Sequence, residues 1–90
     1  MNTDFSRNEM KTAICDILKQ LHPDGSVQMV MNQWTSKYAI ADEYGRVYTE
    51  WVKDTKAGIK LLYYYACAMS LQKTFDEIEQ AAKDLHHTNH

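Results

Sequence analysis

The residues of this chain with the greatest chemical reach are its histidines, cysteines and paired acids. His86 and His90 stand four apart with His87 between them, a spacing at which two imidazoles on one helix could share a metal ion. A structural zinc site takes four ligands, often including cysteine, and neither Cys15 nor Cys67 is near in sequence. The tail 87–90 is therefore read as a frayed, solvated end, with no metal and no cofactor. Cys15 or Cys67 beside a histidine could make a nucleophile and its base, but no local signature supports that pairing. Without CxxC spacing, the two cysteines are read as free thiols. Asp42-Glu43, Asp76-Glu77 and Glu79 are charges expected on exposed faces or at helix starts. The chain carries no Gly-rich phosphate loop, no GxSxG and no HExxH. The expectation is a protein that is not an enzyme and has no catalytic residues.

Binding chemistry has more to work with. Arg46, Lys53, Lys56 and Lys60 cluster around tyrosines and Trp51, with Glu50 and Asp54 among them. Aromatic rings can stack on bases while basic side chains follow phosphates. A nucleic-acid-binding regulator is thus the alternative reading. The formal net charge of −2 weighs against it, because such footprints are usually strongly basic.

The stretch that must position everything else is 58–71, GIKLLYYYACAMSL, in which eleven of fourteen residues are apolar. It is too short for a bilayer, which needs about 20 apolar residues, and longer than a buried strand of about 4–8. On a helix, Ile59, Leu62, Ala66 and Met69 form one stripe flanked by Tyr63 and Tyr65. Leu61, Tyr64 and Ala68 fall on the opposite side. Three consecutive tyrosines leave the helix axis in three directions and cannot all enter one small core. The second face is therefore expected to meet a protein partner, in the first instance a second copy in a homodimer. Leu61, Tyr64 and Ala68, with Trp51 and Tyr48 beside them, are the candidate interface. Tyr and Trp suit that role because they bury a large area and keep a polar tip for the rim. The expected function is a small protein–protein interaction or regulatory protein presenting an aromatic helical surface.

Around that segment, Ser6-Arg7-Asn8-Glu9 has the form of a capping box, so a helix should begin at Ser6. Met10, Ile14, Ile17 and Leu21 give it one apolar face, and Pro23 with Asp24-Gly25 ends it near residue 22. Val27, Met31, Trp34, Tyr38, Ala41, Gly45, Tyr48 and Val52 recur at alternating spacings of four and three, which predicts a helix over 26–53, broken near Thr35-Ser36. Against this, 42–46 reads as a hairpin turn between two runs of β-formers. Asp54 or Thr55 can start the central helix, 55–71. Thr74-Phe75-Asp76-Glu77 is a second capping box, starting a last helix over 74–86 that carries Phe75, Ile78, Ala82 and Leu85. The expected fold is a mostly α bundle of four or five helices near 6–22, 26–53, 55–71 and 74–86. The alternative is α+β, with a β-hairpin over 37–52 packed on helices. Ninety residues, 44% hydrophobic, make a single domain. The polar start MNTDFSRNEM lacks the apolar core of a signal peptide, which points to a small soluble domain in the cytoplasm.

Two local resemblances accompany this reading. Residues 17–24, with Met31-Asn32 further on, are similar to the first helix, loop and early second helix of core histones, which implies a long middle helix. The basic surface with which histones hold phosphate is missing, so DNA wrapping is not implied. His22-Pro23-Asp24 resembles the tripeptide of J-domain co-chaperones. The basic helix that precedes it in that family has no counterpart here, and the three residues read better as a helix stop.

Overall fold

Ser6 opens the first helix as its type and spacing require. The Ser6 hydroxyl accepts the Glu9 N–H at 3.1 Å, and the Glu9 carboxylate accepts the Ser6 N–H at 3.1 Å. A reciprocal cap of this kind satisfies two N–H groups that would otherwise lack a partner at the helix start. The computed structural model describes residues 6–88, and the lead 1–5 and the tail residues Asn89 and His90 lie outside that range. Helix α1 runs Arg7–Leu21 and closes where the His22 N–H donates to the Leu18 carbonyl. Pro23 cannot continue a helix, and Asp24 folds its side chain back to accept the Ser26 N–H at 3.1 Å.

The chain then forms strands where a helix over 26–53 is expected. β1 (Val27–Asn32) and β2 (Lys37–Asp42) pair antiparallel, with Val27 opposite Asp42 and Asn32 opposite Lys37. The bundle of four or five helices is thereby overturned, and the α+β alternative describes the molecule. Local side-chain hydrogen bonds bring this about. Asn32 Oδ1 accepts the N–H groups of Trp34 and Thr35 at 2.9 and 3.3 Å, which turns the chain. Ser36 completes the turn with φ 57°. At the other end of β2, Asp42 Oδ1 accepts the N–H groups of Tyr44 and Arg46, both at 2.9 Å, and Gly45 takes φ 84°.

That second turn sends 47–52 back along the free edge of β2. Tyr38 and Val52 exchange both backbone hydrogen bonds at 2.8 Å, and Ala41 bridges Val47. The expected hairpin over 37–52 therefore exists as an irregular third strand, while the regular hairpin lies one step earlier. β2 sits in the middle, which explains why Ala39, Ile40 and Ala41 are buried in succession.

Helix α2, Lys56–Thr88, is one continuous element of 33 residues, where two helices over 55–71 and 74–86 are expected. Thr55 caps it, its hydroxyl accepting the Gly58 N–H at 3.0 Å. The second capping box is not used. Thr74 instead donates its hydroxyl to the Ser70 carbonyl at 3.2 Å, satisfied inside the helix four residues back. The helix also runs past His86 to Thr88.

Met10, Ile14 and Leu18 of α1 meet Ile59, Leu62 and Ala66 of α2, with Val27, Ile40 and Val52 from the sheet closing the core. Every one of these residues precedes position 67. Met69 packs beside them, the end of α1 borders α2 as far as Asp76, and the C-terminal part of α2 projects past the body. The Cα radius of gyration is 16.3 Å, against about 12 Å for a compact chain of this length.

Candidate docking face on the long helix

α2 buries one stripe and leaves another open. Ile59, Leu62 and Ala66 are buried, and Met69 and Tyr63 pack beside them. On the far side of the same turns, Leu61, Tyr64 and Ala68 are exposed. The three tyrosines do diverge: Tyr63 packs on the core, whereas Tyr64 and Tyr65 face outward.

Because α2 does not break at residues 70–73, the open side continues. Leu61, Tyr64, Ala68, Leu71, Phe75, Ile78, Ala82 and Leu85 follow one another at alternating spacings of three and four, the repeat of a coiled-coil seam. Its large residues range from 39% exposed at Leu61 to 65% at Leu85. The opposite side of 71–85 carries Lys73, Asp76, Gln80, Lys83 and Asp84 and is charged or polar. It is laced by Gln72–Asp76 and Gln80–Asp84 hydrogen bonds and a Lys83–Glu79 ion pair, all four residues apart. The projecting half of α2 is thus amphipathic with its apolar side uncovered. Leu71 and the four seam residues after it extend Leu61, Tyr64 and Ala68, an extension that the expected break at 70–73 hides. The capping-box pattern at Thr74 suggested a break, and the unbroken spacing was the signal that could have joined them.

The other two candidate interface residues lie off α2. Tyr48 sits on the outer segment 47–52 and donates its hydroxyl to Asp42 Oδ2 at 3.2 Å. Trp51, one residue before buried Val52, is exposed. Asp42 gathers these turn contacts. Burial pushes its carboxyl upward, but the Arg46 and Tyr44 N–H groups, the Tyr48 hydroxyl and the Arg46 charge together hold it below the usual value.

The basic group is spread over separate elements. Arg46 belongs to the turn after β2, with its Nε 3.9 Å from Asp42 Oδ2. Lys53 lies just ahead of α2, and Lys56 and Lys60 lie in its opening turns, with Lys60 Nζ 5.9 Å from the centre of the Tyr64 ring. Nearby Asp54 is taken by two cations of α1, Lys11 at 3.0 Å and Arg7 at 3.5 Å.

Cys15 is exposed on α1 and Cys67 half-buried on α2, both as free thiols. The hydrogen bond to Cys67 pushes the Tyr63 hydroxyl above its ordinary value. Cys15 and His22 border an open cavity of about 240 Å³ between α1 and β1, lined mostly by apolar groups such as Leu18, Val27 and Met29. Among the described residues no group of three or more His, Cys, Asp or Glu side chains could hold a metal ion, and no helix is long and apolar enough to cross a membrane. His86 and His87 fall in the last turn of α2, and His90 lies outside the described residues.

Comparison with known protein families, curated proteins and solved structures gives no significant match.

Proposed function

We propose that this protein is a non-enzymatic interaction module that offers the open side of α2 to another protein chain. The observation that carries this reading is the uncovered seam over 61–85, on a helix whose second half contributes nothing to its own core. At roughly 150–200 Å² per large apolar side chain, the seam exposes about 600 Å², the upper end of what a monomer leaves open. An amphipathic helix without a covering surface gains little from propensity alone. Two free cysteines, one of them exposed, suit a reducing compartment such as the cytoplasm.

Site-specific photo-crosslinking in the native host tests the reading. A photoreactive side chain at Phe75 is expected to join this protein to another polypeptide, its own copy or a different one. The same group at Lys73, on the charged side, should give little product. Equal and low yields at both positions would contradict a docking role.

A further inference from the structure

We infer that the open side of α2 is covered by α2 of a second copy, running antiparallel and centred near residue 73. The inference rests on the interaction reading and names its occupant and geometry.

The first argument is steric. In an antiparallel pair each seam position faces the complementary position of the other helix. Centring the pair at residue 73 sets Tyr64 against Ala82 of the second copy, Ala68 against Ile78, and Leu71 against Phe75. Each alanine then meets a large side chain, and layers of large against small interdigitate without voids. The seam ends, Leu61 and Leu85, fall at the same level in that register. A parallel pair stacks each residue on itself. Alanine would then face alanine at positions 68 and 82, leaving gaps, while Tyr64 and Phe75 crowd their own copies.

The second argument is area. Two seams of about 600 Å² each bury about 1,200 Å² together, the lower bound for a specific, stable interface. The third is access. α1 and the sheet pack on Ile59, Leu62 and Ala66, on the back of α2, so neither body obstructs the seam. The flanks also agree. The antiparallel register places Gln72 and Thr74 beside their own copies and brings the Tyr65 hydroxyl towards the Glu79 carboxylate, so no like charges are opposed.

Light scattering with size exclusion, followed by spin-label distance measurement, tests this. The full chain should elute at twice its 10.5 kDa mass. Ile78→Glu should return it to one chain mass, and Lys73→Ala should leave it doubled. With Lys83→Cys spin-labelled in a Cys15→Ser, Cys67→Ser background, the two labels should sit about 30 Å apart, since each is ten residues from the centre at about 1.5 Å per residue. A doubled mass with no such axial offset, the labels separated only by the width of the helix pair, would mean parallel helices and overturn the inference. A single chain mass at high concentration would overturn it as well. Either result leaves the docking role to be decided by the Phe75 cross-link, where a different polypeptide could still be captured.

Discussion

The Lys11 ammonium of α1 lies 3.0 Å from Asp54 Oδ1, just ahead of α2. The contact is one of charge, because Asp54 Oδ1 is buried and receives no aligned hydrogen bond. Lys11 Nζ also sits 4.5 Å from the centre of the Tyr38 ring on β2 and donates to its hydroxyl at 3.4 Å. One ammonium thus ties the first helix, the central strand and the start of the long helix. Arg7 reinforces the junction by donating to the Asp54 carbonyl at 3.1 Å. The close approach of the Asp54 carboxylate chiefly raises the Lys11 pKa above its ordinary 10.5. A raised pKa contributes stability that is complete below the unfolded value and is lost as pH rises through the folded one. Lys11→Met should cost about 1–3 kcal/mol in urea unfolding at neutral pH. It should also remove part of the loss of stability that the wild type shows above pH 10.5.

Asp42 makes the opposite prediction. Its folded pKa lies below the ordinary 3.8, so its contribution is present above that value and disappears as pH falls through the folded pKa. Acid titration followed by circular dichroism should show the wild type losing stability below pH 3.8. Asp42→Asn keeps a side-chain oxygen for the Tyr44 and Arg46 N–H groups but cannot titrate, and should flatten that part of the curve.

These two sites also show what could be read from the sequence. The Ser6–Glu9 cap, the stop at Pro23 and the stripe of Ile59, Leu62 and Ala66 depend on neighbours three or four residues apart, and the sequence displays them directly. The strands depend on Asn32 and Asp42 redirecting their own backbone. The alternation of threes and fours from Val27 to Val52 concealed this, since that spacing also arises when buried residues of a twisted hairpin fall by chance on helical positions. The turn residues 42–46 were the better guide. The candidate face was legible in part. Leu61, Tyr64 and Ala68 stood out by density of apolar residues, whereas 71–85 looked like a separate helix because Thr74 and Glu77 imitate a cap.

Gly58 allows α2 to start close to the preceding strand. A Cβ there would collide with the Lys53 carbonyl. Gly58→Ala should therefore destabilise by about 1–3 kcal/mol, although alanine is the better helix former. The midpoint of thermal unfolding measures this, and an increase would contradict the close approach.

The buried core ends at Ala66, with Met69 the last residue packed against it, so the two halves of α2 should respond differently to damage. Leu62→Ala should cost about 2–5 kcal/mol by opening a cavity among α1, α2 and the sheet. Ending the chain after Asp76 should leave the monomer's unfolding free energy within about 1 kcal/mol while removing association. Urea titration at a protein concentration low enough to keep the chain monomeric separates the two effects.

Coverage of 71–85 by a second copy, as inferred above, should keep that segment helical. Amide hydrogen exchange over that segment, followed across protein concentration, tests this most directly. Protection that grows with concentration and vanishes in Ile78→Glu is the predicted result. Exchange at the rate of an uncovered helix at every concentration would contradict it.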